Sequence, residues 1–199
     1  EKDDVEPVYD LTEPVTHHFV ANGIVVHNCS EHMAIDNSAC NLSSLNLVKF
    51  DDVNGFQWGS FQHAARVFTL AMDILVDLSS YPTKEIAINA HKYRHLGLGY
   101  ANLGALLMRC GMPYDSPEGR LIAAEITSRM TTAAWKTSAE IAEVLGPVAS
   151  DKADRPNMVN VLQMHHDAAK NMGLSQFAQQ EWRECMVVCA RSGFRNAQT

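Results

Sequence analysis

The sequence predicts an α/β chain, largely helical after a short β segment, and three observations carry that prediction. Trp58, Phe61, Ala65, Phe68, Met72, Leu75 and Val76 recur at three- and four-residue spacing, the period of an amphipathic helix. A second such run lies between Ser116-Pro117, an N-cap followed by proline at the first helical position, and the stop Gly146-Pro147. Asn22-Gly23 sits between β-branched and apolar residues and marks a hairpin, since both residues accept positive φ at low cost.

In chain order, residues 1–28 read as strands and turns, with Val8-Tyr9-Asp10-Leu11 a first β-prone piece. Cys29 to Phe50 alternates strand-like and loop-like stretches, and Asp51-Asp52-Val53-Asn54-Gly55 is a turn. The first helix ends at Ser79-Ser80-Tyr81-Pro82, and a second starts near Thr83 or Lys84. The stretch Leu96 to Leu107 is rich in small residues that permit close backbone packing, and Gly97-x-Gly99 precedes helical sequence without a clear β-strand. The long helix after Ser116 carries Leu121, Ile126, Met130, Ile141 and Leu145. Asp151 to Asn157 reads as polar linker, followed by short helices near Val159–Lys170 and Leu174–Cys189. Trp58, Phe61 and Phe68 are expected as core anchors, and Met72, Met108, Met130 and Met164 as fillers of helix packing.

The 199 residues carry a formal net charge of -7 without a Lys/Arg cluster, which argues against binding a phosphate backbone. With 46% apolar and 20% charged residues the chain reads as globular, and no apolar run reaches the length of a membrane span. Five cysteines, an odd number without a CxxC pair, fit free thiols in the cytoplasm better than a disulfide scaffold or structural zinc. Both ends are expected to lie inside a longer polypeptide, because there is no initiator Met and no helix stop at the end.

His27-Asn28-Cys29 holds the first chemistry. An Asn amide can attack its own carbonyl, release the next residue and leave a succinimide, if a neighbour such as His27 polarises that carbonyl. The sulfur of Cys29 can accept an acyl group. The tripeptide alone reads equally as a hairpin edge with scattered polar residues. The longer run Val8 to Thr12 and His17 to Cys29 closely resembles the C-terminal blocks of an intein. That resemblance implies a Hint-type β segment over residues 1–28, with Asn28 as the cyclising residue and His27 as its assistant. It also makes Asp10 and His17 upstream helpers and Cys29 the first extein residue. The N-terminal intein half is not in the sequence.

Cys29, Glu31 and Cys40 hold the second. Residues two apart on an extended strand share a face, so Cys29 and Glu31 can act on adjacent atoms of one substrate, and Cys40 follows after a stretch able to turn. Spacing alone favours the plainer reading of buried packing cysteines. Cys29-Ser30-Glu31, Ala39-Cys40-Asn41-Leu42-Ser43-Ser44-Leu45-Asn46-Leu47, Leu96 to Met108 and Gly111 to Ser116 together resemble the large catalytic chain of ribonucleotide reductase, most of all its adenosylcobalamin-dependent class. The resemblance covers nearly all of residues 29–199. It implies part of a ten-stranded α/β barrel, in which Gly97 and Gly99 would pack a helix closely.

By the same likeness Cys29 is the thiyl radical, Glu31 the general base, and Cys40 one of two reducing thiols whose partner lies upstream. Implied too are a ribonucleotide di- or triphosphate substrate, a thioredoxin- or glutaredoxin-like reductant and nucleotide effectors. The segment by itself is expected to be inactive. Cys110, Cys185 and Cys189 do not match the partner thiol and read as packing residues. The chain departs from the family at His27, where an Asn normally stands two residues before the radical cysteine.

Overall fold

The computed structural model describes residues 18–21, 24–27 and 35–197. Two compact units divide at residues 36 and 37. In the first, β1 (His18–Ala21) and β2 (Ile24–His27) pair antiparallel, with His18 opposite His27 and Ala21 opposite Ile24. The expected hairpin is therefore present as a strand pair, while Asn22-Gly23 lies outside the described residues.

In the second unit β3 (Asn41–Asn46) leads through a 3-10 turn (Leu47–Phe50) into a small hairpin, β4 (Asp51–Asp52) and β5 (Gly55–Phe56). The hairpin is the turn expected at Asp51–Gly55. Its carboxylate Asp52 accepts from the Asn54 amide at 2.7 Å, and Gly55 takes φ 92. Then come α1 (Trp58–Leu78) and α2 (Lys84–Tyr93), the latter capped by the Thr83 hydroxyl. The chain returns as β6 (Leu96–Ala101), which runs parallel to β3 in register from Asn41 opposite Leu96 to Asn46 opposite Ala101.

β6 is a strand where the sequence showed no clear one. Gly97 and Gly99 have no strand propensity of their own. The strand follows instead from the alternation Leu96, Leu98, Tyr100, which turns three apolar side chains to one face, and from the ladder offered by β3. Helical structure resumes in α3 (Leu103–Arg109).

α4 (Pro117–Leu145) starts as the sequence predicts: Ser116 Oγ accepts from Gly119 N at 2.9 Å, with Pro117 at the first position. A side chain at Gly119 would meet the Pro113 carbonyl at 2.9 Å, so the turn before the helix packs directly on its first coil. At 29 residues α4 is long enough to border two cores. Ile126, Met130 and Ala133 join Leu45, Leu47 and Phe61 in a core under β3 and α1. Trp135 and Ala139 join Leu162, Trp182, Cys185 and Cys189 in a second, shared with α5 (Asp151–Asn171) and α6 (Gln176–Ser192).

The expected linker at 151–157 is the first two turns of α5. Its polar residues belong there for electrostatic reasons: Asp151 and Asp154 lie in the positive first turn of the helix. Asp151, only 1% exposed, also pairs with Arg155 and accepts from Phe194 N at 3.0 Å. Several packing expectations change as well. Phe61 and Met72 are buried, but Phe68, Met108 and Met164 are exposed, because spacing marks a face without saying what covers it. Cys110 is exposed at the end of α3, whereas Cys185 and Cys189 are buried as expected.

Candidate active site

Cys40 directly precedes β3, and the strand's alternation decides what accompanies it. Leu45 is buried in the core, and Asn41 Nδ2 donates to the Met72 carbonyl of α1 at 3.0 Å. Asn41, Ser43 and Leu45 thus form the helix side of the strand. Leu42 and Ser44 point the other way, and both are exposed. Cys40 is half-buried and its thiol donates to the Asn41 carbonyl at 3.6 Å.

Across the ladder, Gly97 faces Leu42 and Gly99 faces Ser44. A β-carbon built on Gly97 would lie 2.4 Å from Leu42 Cδ2 and 3.6 Å from Cys40 Sγ; one on Gly99 would lie 3.6 Å from Ser44 Oγ. The two glycines therefore do not pack a helix, contrary to expectation. They leave the backbone of β6 bare beneath the side chains of β3, on the same face as the Cys40 sulfur. One exposed apolar side chain, Leu42, one exposed hydroxyl, Ser44, and one thiol-bearing position thus share a strip of sheet that no described helix covers.

The far end of the pair is closed by two asparagines. Asn46 Oδ1 accepts from Val48 N at 3.2 Å and from Asn102 Nδ2 at 3.0 Å. Asn102 adopts φ 67, a left-handed conformation that Asn tolerates better than most residues. Neither residue was singled out for this role in the sequence.

A buried polar hub fixes the entry into β6. Arg94, 3% exposed and itself at φ 52, donates to Asp73 Oδ1 at 2.8 Å, to the Asp73 carbonyl at 2.8 Å and to Asp77 Oδ1 at 2.7 Å. Burial alone would lower the Arg94 pKa, but its bonds to Asp77 and Asp73 outweigh that and raise it. Hydrogen bonding from Arg94 holds the Asp77 carboxyl below its ordinary value. Asn196, fully buried, donates to Asp73 Oδ1 at 2.8 Å and to the Arg94 carbonyl at 3.1 Å, and accepts from Ser138 Oγ at 2.8 Å. Such a network is stable only when every member is satisfied, and removing one partner leaves a buried charge uncompensated. No pattern in the sequence announced it: its members lie up to 123 residues apart.

Of the residues expected to carry chemistry, Cys40 is described. His27 is described in its backbone, as the last residue of β2. Asp10, His17, Asn28, Cys29 and Glu31 lie outside the described residues. Cys185 and Cys189 are separated by 3.9 Å between sulfurs, and Cys189 donates to the Trp135 carbonyl at 3.7 Å. The bond with Cys185 and then burial push the Cys189 thiol far above its ordinary value, which keeps it protonated and inert. Among the described residues no cluster of three or more His, Cys, Asp or Glu is arranged to hold a metal ion, and no helix is long and apolar enough to cross a membrane.

Comparison with known proteins adds the rest. A vitamin B12-dependent ribonucleotide reductase of Rhodopirellula baltica is 42% identical over 177 residues, covering 85% of this chain and 17% of the relative. That of Agrobacterium fabrum is 39% identical over 195 residues, covering 86% of this chain and 15% of the relative. That of Streptomyces clavuligerus is 42% identical over 183 residues, covering 85% and 19%. The chain thus spans less than a fifth of the length of these relatives. The family described as the ribonucleotide reductase barrel domain matches residues 16–199, a match that begins upstream of Cys29. With a half-buried thiol at the head of a parallel strand pair and that match over nearly its whole length, this chain belongs to the ribonucleotide reductase barrel-domain family.

Proposed function

We propose that this chain is part of an enzyme that reduces ribonucleotides to 2'-deoxyribonucleotides for DNA precursor synthesis, with Cys29, Glu31 and Cys40 as its catalytic residues. The observation that carries the reading is the position of Cys40. It is a thiol at the head of β3, on the face left bare by Gly97 and Gly99, within a family match to a reductase barrel.

In this reading the Cys29 sulfur, as a radical, takes the hydrogen from the ribose 3' carbon. Glu31 accepts the 3'-hydroxyl proton, which favours departure of the 2'-hydroxyl as water. Cys40 and a second thiol together give two electrons and two protons to the sugar and close into one S–S bond. The products are one deoxyribonucleotide, one water and one disulfide. The 3' hydrogen returns from Cys29. A thioredoxin- or glutaredoxin-like dithiol reopens the disulfide, and nucleotide effectors act on the longer protein. Free thiols at Cys110, Cys185 and Cys189 fit a reducing, cytoplasmic setting. By itself the segment is inactive, since the partner thiol belongs to the longer protein.

The relatives are named as vitamin B12-dependent, and adenosylcobalamin is the corresponding cofactor. The described residues are a small part of the relatives' length, and none of them is assigned to hold it. A corrin with its nucleotide tail is larger than the drug-sized ligands that clefts of about 300–1,000 Å³ accept, and the cleft between α1 and the end of α4 measures about 440 Å³. The cofactor's contribution, an unpaired electron delivered to sulfur, is assigned to no described residue.

Replacing Cys40 with Ser in the full-length enzyme tests the reading: turnover should be lost while nucleotide still binds. Turnover at the wild-type rate would refute it.

A second reading concerns residues 1–28, as the C-terminal part of an intein. It is supported by the β1–β2 strand pair, in which His27 is the last residue of β2 and stands opposite His18. Here Asn28 cyclises, His27 assists, Asp10 and His17 help from upstream, and Cys29 is the acyl acceptor. The same sulfur then becomes the radical carrier, so splicing is an activation step. Asn28→Ala in the full precursor should trap unspliced, inactive protein; reductase activity in the trapped protein would refute it.

A further inference from the structure

A cavity of about 280 Å³ lies among α4, α5 and α6, and none of its lining residues belongs to β3 or β6. Trp182 and Ser128 in its wall are buried, whereas Thr127, His165 and Met172 at its mouth are exposed. Trp182 Nε1 donates to Ser128 Oγ at 2.7 Å, and Thr127 Oγ1 bonds both the Tyr100 hydroxyl and the Ala123 carbonyl. Those polar groups already serve the fold. Thr131 and His165 have no hydrogen-bond partner among the described residues, so their polar atoms are left for a guest.

Three features fix the chemistry of that guest. None of the lining residues is Asp, Glu, Lys or Arg, and burial holds the His165 imidazole below its ordinary pKa, hence uncharged near neutral pH. An ion placed there would lose its hydration without gaining a counter-charge. The rings of His165 and Trp182 meet edge to face, with centroids 5.9 Å apart at 76°. They form a corner in which a flat ring can stack on one and meet the edge of the other. A cavity of about 150 Å³ holds benzene, so about 280 Å³ has room for two fused rings.

We infer that this cavity is a binding site for a small, flat, uncharged bicyclic molecule that carries one N–H or O–H donor. Its rings lie against Trp182, and its donor reaches the lone pair of the His165 imidazole at the mouth. The Thr131 hydroxyl is the second polar contact. The inference is independent of the reading of Cys40.

Indole is the probe, titrated by calorimetry into the full-length enzyme. Wild type should bind it saturably with a Kd below about 1 mM, well within the reach of a ligand of that size. Two variants fill the cavity from different helices, Ala124→Leu on α4 and Ala168→Phe on α5, and each should abolish the saturable heat. Ala168 is exposed, so its variant keeps the core intact even where Ala124→Leu fails to fold. Indole-3-carboxylate, of similar shape but charged, should show no component of binding that these variants remove.

His165→Phe keeps a ring at the mouth and removes the acceptor. It should weaken indole about three- to tenfold, the worth of one hydrogen bond. Benzofuran, the same shape without the donor, should bind the wild type and this variant within about twofold of each other. Absence of saturable indole binding in the wild type overturns the inference, and is the outcome if a side chain of the longer polypeptide already fills the cavity. Indole binding that survives a folded filling variant unchanged overturns it too, as does equal weakening of indole and benzofuran by His165→Phe.

Discussion

Cys40 and the pair Cys185–Cys189 are the same residue type in opposite surroundings. Cys40 is half-buried at the head of a two-stranded parallel sheet, next to bare backbone, on a face that no described helix covers. Cys185 and Cys189 are fully buried on α6, where Trp135, Phe194 and Trp182 surround them. Thiol chemistry needs access and an attainable thiolate. The strand region provides access; the helical region denies it and pushes the Cys189 thiol up besides. Residue type therefore says little about a cysteine's role until its neighbours are known.

The comparison breaks most visibly by substitution. Cys40→Ser should abolish turnover while leaving thermal stability unchanged, measured by product formation and calorimetry on the full-length enzyme. Loss of stability on that scale would place Cys40 with the packing cysteines instead.

Arg94→Ala comes next. It removes the buried partner of Asp73 in the hub that ties α1 to the entry of β6, and should cost about 3–5 kcal/mol in urea unfolding. Because the hub also engages Ser138 and Asn196, the loss should spread to the helical region, seen as parallel unfolding of both regions by hydrogen exchange.

Cys189→Ser should cost less, about 1–3 kcal/mol for a buried hydroxyl that replaces a thiol. Turnover per folded molecule should be unaffected. A fall in turnover per folded molecule would give the helical thiols a catalytic part.

The smallest effect concerns Glu125 at the junction of α4 and α6. Burial pushes its carboxyl up, but bonds from the Ser175 hydroxyl, Arg129 and the Ser175 amide outweigh that and hold it below the ordinary value. A depressed carboxylate contributes stability above its unfolded pKa, and that contribution is lost as pH falls through the lower folded value. Acid unfolding should therefore steepen below the ordinary glutamate range, and Glu125→Gln should flatten that limb. An unchanged acid profile in the variant would remove Glu125 from the account.

How much was legible in the sequence depended on which signal each element carries. The long helices were readable because caps and period agree: Ser116-Pro117 opens α4, Thr83 opens α2, and Gly146 closes α4. β6 was hidden, since two glycines erase strand propensity and small residues imitate helix packing. Only the alternation of Leu96, Leu98 and Tyr100 pointed to it. The start of α5 was hidden by its polarity, which serves the helix dipole and Asp151's contact with Phe194 N rather than a linker.

The exposure of Phe68, Met108 and Met164 lay beyond period alone, because a stripe of apolar residues does not reveal which part of it a neighbour covers. At the site, Cys40 was singled out by family likeness, whereas the approach of Leu42 to Gly97 needed the register of two strands 55 positions apart. The hub of Asp73, Arg94, Ser138 and Asn196 needed the fold itself.

The most direct measurement is alkylation of native cysteines, read residue by residue by mass spectrometry, before and after one turnover of the full-length enzyme without external reductant. Cys40 should take the label before turnover and resist it afterwards, becoming reactive again when a dithiol is added, while Cys185 and Cys189 resist throughout. Equal labelling of Cys40 before and after turnover would contradict the proposal that it is a thiol that reduces the sugar.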